Sequence, residues 1–288
     1  YESTYKIGLS KDLKILAYEV EFLQNSGAAC DLSPAIAERT LFHATNSYFV
    51  PHIKTIVLSC KTNLPPNTAF RGFGGPQGMF VIESAISKAA NELGVSAQKI
   101  QEVNLLKEND EFSYGQIATQ VEASNSWHTA KTHYNFDVLK QEVEDFNKVN
   151  SAFKKGIALM PITFGISFTN TPMNHARALV HIYLDGSVGI STAAVEMGQG
   201  VNTKLLQIAA QVFSINHRKV KIETTNTTRV ANTSPSAASS TTDLNGKALL
   251  KACSALLERL KMVARSLIFT RINDIGHITF SFFFVWYQ

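Results

Sequence analysis

Three short stretches stand out for their glycine, amide and hydroxyl groups. The first, TAFRGFGGPQG (Thr68 to Gly78), sets Arg71 and Phe73 among Gly72, Gly74, Gly75 and Gly78. Glycines this close allow a backbone to approach a ligand and aim its N–H groups at it. Pro76 suits the first turn of a helix, so the loop feeds a helix N-terminus, where anionic and polar groups are held. The second is EMGQG (Glu196 to Gly200), a glycine-flanked polar turn, and the third is NTSPSAASSTTDLNG (Asn232 to Gly246), crowded with small hydroxylated residues. Such a run between ordered elements reads as a backbone cradle rather than a linker. The chemistry on offer is recognition through hydrogen bonds.

Other chemistries find no motif. The G-x-G-G spacing lacks the third glycine of a dinucleotide fingerprint, and there is no G-K-[ST]. The histidines form no H-x-x-x-H pair, and Cys30, Cys60 and Cys253 form no C-x-x-C, so no metal site built from side chains is visible. Isolated thiols fit a reducing compartment, and a cytoplasmic location is expected. Asn226 and Asn232 head N-x-Ser/Thr triplets that read as chance without a secretory signal.

The elements that must position these stretches follow from periodicity. A β-hairpin is expected over residues 5–23, with Leu16, Tyr18, Val20 and Phe22 alternating with their neighbours. Asp31 to Tyr48 reads as a helix with Ser33 as N-cap and Pro34 next, and it carries Arg39 beside Glu38. A strand from His52 to Thr62 leads into the glycine loop. The helix after it, with Met79, Ile82, Ile86 and Leu93 at helical spacing, closes at Gly94. Ser96 caps a short helix through Leu106, residues 107–133 read as polar and irregular, and Phe136 to Val149 reads as a helix.

A second unit is expected from Ser151, dividing the chain into domains 1–150 and 151–288. FGISFT (Phe164 to Thr169) reads as a β-type run, and Leu179 to Thr192 as a hairpin turning at Asp185-Gly186. A helix follows EMGQG, then a strand from Lys219 to Thr225 and a helix through Leu249, Leu256 and Leu260. The net charge of +4 comes without a run of Lys and Arg, so nucleic acid and membrane surfaces gain no support as partners. No apolar run reaches spanning length. The start at Tyr1 and the aromatic tail FSFFFVWYQ (Phe280 to Gln288) both read as cut ends.

KTNLPPNTAFRGFGGPQG (Lys61 to Gly78), FGISFT, VEMGQGVNTK (Val195 to Lys204) and NTSPSAASSTTDLNG, in this order and spacing, resemble the molybdopterin-binding region of the xanthine dehydrogenase/aldehyde oxidase family. The resemblance implies an α+β fold of two lobes of mixed sheet and helix. It implies molybdenum held by the dithiolene of a molybdopterin cofactor and by no protein side chain, with Arg71 and Ala238 nearest. Cofactor contacts are implied for Arg71, Gly72, Gly198, Gln199, Gly200, Ala237, Ala238 and Ser239. Substrate contacts are implied for Arg39, Phe73, Phe168 and Thr169. The two phenylalanines would stack on a flat ring and meet its edge, stacking being worth about 1–3 kcal/mol for a nucleobase. The arginine of the ER-x-L-x-H context would bond a purine oxygen. Aldehyde oxidases tend to a non-basic residue there, so a purine is expected over an aldehyde.

The implied reaction takes hypoxanthine or xanthine to urate, with water as the oxygen source. Electrons would leave through iron–sulfur clusters and FAD on other domains or subunits, in an oligomer. The family's glutamate base lies in a G-x-G-E segment that this sequence lacks, and the upstream glycine-rich motif, cluster cysteines and flavin domain are absent too. The chain is therefore expected to be a fragment with no catalytic residue of its own, inactive alone. The rivals are an aldehyde or other N-heterocycle oxidoreductase of the family and a truncated, non-catalytic remnant.

Overall fold

The computed structural model describes residues 1–230 and 233–274, excepting the side chains of 238–240 and 268–274. The chain packs as two units, residues 1–165 and a second beginning at Ile166. In the first, β1 (Glu2–Leu9) and β2 (Ile15–Gly27) form the expected antiparallel hairpin. Helix α1 (Ser33–Phe42) carries the chain to β3 (His52–Lys61), which pairs parallel to β2. Because β2 is the central strand, Tyr18, Val20 and Phe22 are covered from both sides and are at most 1% exposed. Helix α2 (Gly75–Leu93) lays Ile82, Ala85, Ile86 and Ala89 against them, the apolar stripe its spacing predicts except at Leu93, which ends the helix exposed. It closes at Gly94, whose φ of +65° is left-handed.

The expected helix through Tyr48 stops at Phe42. Asn46 takes a left-handed φ of +49°, and its amide donates to Glu83 Oε1 at 3.0 Å and Pro161 O at 2.7 Å. Ser33 is the first helical residue rather than the cap, which falls on Leu32. After α3 (Ala97–Val103), the stretch 107–133 is less irregular than its composition suggests, because α4 (Ala123–His133) forms within it. Its anchor is Trp127, 3% exposed. One buried aromatic on a polar helix leaves no period to read. The helix α5 (Phe136–Val149) follows as expected.

Residues 151–165 lie on the first unit as a strap. The Gln101 amide donates to Leu159 O at 3.0 Å, the Asn46 amide reaches Pro161 O, and the Ser47 and Thr163 hydroxyls share a hydrogen bond. Beneath it sits Glu83, accepting from Tyr48 Oη at 2.7 Å and Gln101 Nε2 at 2.8 Å. Burial raises its carboxyl above the usual range.

The second unit repeats the connectivity of the first. The strands β4 (Ala178–Ile182) and β5 (Val188–Thr192) turn at Asp185-Gly186 as expected, α6 (Val201–Phe213) crosses over, and β6 (Val220–Ile222) pairs parallel to β5. Helix α7 (Ala238–Asp274) follows, so the second half of the expected hydroxyl-rich loop is helical. Ile190, Val201, Leu205, Ala209 and Leu249 form its core. FGISFT makes no strand: Ser167 has a left-handed φ of +67°, incompatible with extended pairing. The aromatic tail from Phe280 lies outside the described residues. The architecture is α+β, two small mixed sheets each backed by helices.

Candidate functional site

In each sheet the second and third strands run parallel, so the loops after them leave from the same, carboxyl, end. Ligands bind beyond that end in sheets with helical crossovers. In the first unit the two loops are stitched together by Ala28 N–H donating to Leu64 O at 2.9 Å and Asn67 N–H to Ser26 O at 3.1 Å. In the second, Val195 N–H donates to Ser236 Oγ at 2.9 Å, and Thr225 Oγ1 to Ala194 O at 3.3 Å. EMGQG and the hydroxyl-rich stretch are thereby brought together, as two loops on one sheet end.

The glycine loop docks on α1 at the turn that holds Arg39. Thr40 Oγ1 donates to Gly74 O at 3.0 Å, and Gly74, at φ +101°, comes so near that an added Cβ would lie 2.2 Å from Ile36 O. A Cβ on Gly75 would meet Phe164 at 2.6 Å. Gly74 therefore serves the packing of α2 on α1, and Gly75 the packing of Phe164. Phe73 is half-buried and itself left-handed, φ +53°, with its N–H donated to Phe70 O at 2.8 Å. A bulky residue held there stores about 1–3 kcal/mol of backbone strain, a mark of a constrained side chain. Arg71 is exposed on the same loop, beside half-buried Gly72.

Arg39 is 9% exposed. Its Nη1 donates to Gly165 O, and its Cζ lies 5.4 Å from the centre of the Phe164 ring. Burial lowers its pKa from the usual value, with the nearby Glu38 charge opposing. Behind it, His43 Nε2 accepts the Gly165 N–H at 3.0 Å, so the ring proton sits on Nδ1 and is donated to Arg39 O at 2.8 Å. Burial, foremost, depresses the His43 pKa. His43 and Gly165 were legible only as part of the ER-x-L-x-H and FGISFT strings, with nothing to link them.

In the second unit, Phe168 is half-buried and Thr169 exposed. Asn174, which no motif singles out, clasps Phe168 from both sides: Phe168 N–H donates to Asn174 Oδ1 and Asn174 Nδ2 to Phe168 O, both at 2.8 Å. This side-chain clasp does the work that the expected strand pairing would have done. In EMGQG, Gly198 and Gly200 are left-handed, with no atom within 4 Å of an added Cβ. The loop's N–H groups converge on its own Glu196: Gly198 donates at 3.0 Å, Gly200 at 2.9 Å and Asn202 at 3.1 Å. Gln199 folds back, accepting from Met197 N–H and donating to Val195 O. Since Gly200 caps α6 without a side chain, Glu196 is the cap, supplied from upstream.

The N–H bonds, that of Asn202 foremost, hold the Glu196 carboxyl below its usual range. The cap therefore stands at all pH values above that range and is lost as pH falls through the depressed value. Replacing Glu196 with alanine is expected to speed amide hydrogen exchange at Gly198, Gly200 and Asn202 while the buried turns of α6 stay slow. Unchanged protection at those three amides would show that the carboxylate is not their partner.

Whether these loops suit a large polar cofactor turns on spare hydrogen-bonding capacity. At the start of α7, Thr241 Oγ1, Thr242 Oγ1 and Asn245 Oδ1 are buried without a partner among the described residues. Such orphaned oxygens, a turn beyond Ala237, Ala238 and Ser239, call for a polar ligand or water. Space is open above Gly198 and Gly200. Among the described residues no three His, Cys, Asp or Glu side chains group to hold a metal ion. The spare hydroxyl and amide oxygens at the start of α7 fit a polar cofactor that brings its own metal ligands.

Residues 1–105 and 129–279 each match a family model described as a molybdopterin cofactor-binding domain, and the chain belongs to that family. It is 43% identical over 260 residues to xanthine dehydrogenase 1 of Arabidopsis thaliana, a match covering 90% of this chain and 19% of that protein. It is 42% identical over 257 residues to the xanthine dehydrogenase/oxidase of Felis catus, covering 89% of this chain and 19% of the relative. The chain thus spans about a fifth of the length of these relatives. Among solved structures, the aldehyde oxidoreductase of Desulfovibrio gigas shares the fold, with a TM-score of 0.72 at 21% identity over 89% of this chain and 28% of that one. No helix among the described residues is long and apolar enough to cross a membrane.

Proposed function

We propose that this chain is the cofactor- and substrate-holding part of a molybdenum purine hydroxylase that takes hypoxanthine or xanthine to urate, with water as the oxygen source. The observation that carries this is Arg39, a residue 9% exposed whose guanidinium donates to a backbone carbonyl beside an aromatic ring. In so dry a setting a charged bond to a purine oxygen is strong. It also stands ready where negative charge grows on the ring during reaction. Phe73 and Phe168 would stack on the substrate and meet its edge, and Thr169 would contact it. Arg71, Gly72, Gly198, Gln199, Gly200, Ala237, Ala238 and Ser239 would hold the molybdopterin, with Arg71 and Ala238 nearest the metal and no side chain ligating it.

When bound, the cofactor supplies the two-electron oxidising chemistry; this chain's part is to bind, orient and exclude water. The proton-accepting glutamate, the iron–sulfur clusters and FAD would come from other parts of the polypeptide or from other subunits, in a cytoplasmic oligomer. The relatives named xanthine dehydrogenase support the purine assignment. The test is to incubate the complete enzyme with xanthine in heavy-oxygen water. Label is expected in urate; turnover of aldehydes with none of purines would overturn the reading.

A further inference from the structure

We propose that His43 is a positioning residue for Arg39, acting through the backbone of Gly165; the inference rests on the purine reading of Arg39 and deepens it. Three hydrogen bonds close a ring. The Arg39 guanidinium donates to Gly165 O, Gly165 N–H donates to His43 Nε2 at 3.0 Å, and His43 Nδ1–H donates to Arg39 O at 2.8 Å. Both polar groups of Gly165 are therefore held, the N–H by His43 and the carbonyl by the guanidinium, which places this backbone segment against Arg39. The strap brings Gly165 there already ordered, tied at Thr163 and Pro161. Phe164 fills the space between, its ring 5.0 Å from that of His43.

The fit is close enough that a side chain at Gly165 would push on the guanidinium. A Cβ on Gly165 would lie 3.0 Å from Arg39 Nη1 and 3.6 Å from His43 Cε1. A long arginine side chain gives a strong bond to a ligand only if little freedom is lost on binding. The ring of bonds removes that freedom beforehand. His43 can serve only as the neutral, Nδ1-protonated imidazole, because Nε2 must accept; burial favours that form. It decides where the guanidinium points without touching substrate.

Two variants of the complete enzyme separate positioning from plain structure. His43→Asn keeps a donor near the Nδ1 place, for Arg39 O, and loses the acceptor for Gly165 N–H. His43→Gln puts an acceptor near the Nε2 place. The Asn variant is expected to raise KM for xanthine about tenfold, the worth of a bond to a charged group. Its kcat/KM for a small aldehyde and its molybdenum content should stay unchanged, and the Gln variant should return KM close to that of the parent. A crystal structure of the Asn variant should show Arg39 Nη1 moved off Gly165 O. An unchanged xanthine KM, a joint fall for purine and aldehyde, or a Gln variant as impaired as Asn would overturn the proposal. If Arg39→Met leaves purine preference intact, the purine reading fails by itself, while the crystallographic displacement still decides whether His43 sets the guanidinium.

Discussion

Replacing Arg39 with methionine is expected to cut kcat/KM for xanthine about a hundredfold while sparing small aldehydes, measured on the complete enzyme. A hydrogen bond from a charged donor is worth about 1.5–3 kcal/mol, or roughly 10- to 150-fold in rate, before any benefit from a dry site. The opposing risk is that a buried residue is being removed. That risk is small here, because methionine keeps the volume and deletes a charge whose burial was already unfavourable. The Gly165 carbonyl it leaves behind belongs to an exposed residue and can take up water. The stability change should therefore stay within about 1 kcal/mol, and the loss should fall on the substrate that carries the oxygen. Equal losses for purine and aldehyde would sink the assignment.

Gly74→Ala should be among the most destabilising single changes in the first unit. The residue sits at φ +101°, where a side chain costs about 1–3 kcal/mol. Its Cβ would also stand 2.2 Å from the Ile36 carbonyl oxygen and 2.9 Å from Thr40 Oγ1. A backbone oxygen inside a helix cannot swing away, so α1 and α2 would have to part, and the combined cost should exceed about 3 kcal/mol. Gly94→Ala is the control. It is also left-handed, at φ +65°, but nothing lies within 4 Å of its Cβ, so strain alone should cost about 1 kcal/mol. Urea unfolding of both variants decides it; a Gly74 variant no weaker than the Gly94 variant would refute the packing account.

The contrast explains what the sequence made legible. Glycine spacing located the loop before α2 and the turn before α6, because left-handed positions leave a mark in residue type. It did not separate glycines with open space at the Cβ position from those packed against another part of the chain. Gly74, Gly75 and Gly78 all have protein atoms within 3 Å of an added Cβ, whereas Gly198 and Gly200 have none within 4 Å. The hairpins, α2 and α5 were readable because alternation and helical spacing are local. FGISFT misled because its apolar residues look like a strand, whereas Ser167 turns the chain and Asn174 clasps Phe168 from six residues on. Glu196 looked like one more polar residue in a glycine turn; its role as cap depends on three N–H groups that meet only once α6 has formed. His43 and Gly165 meet across 122 positions, beyond any window of pattern reading.

The strap also governs timing during synthesis. The hairpin, α1, β3 and α2 can all assemble from the first 93 residues, yet Arg39 must wait for a carbonyl 126 positions later in the chain. At about 5–20 residues per second, that gap lasts on the order of ten seconds. Through that interval the nascent sheet carries a guanidinium still served by water, with the imidazole behind it missing one of its partners. The end of the first unit that carries Arg39 is thus among the last parts to set.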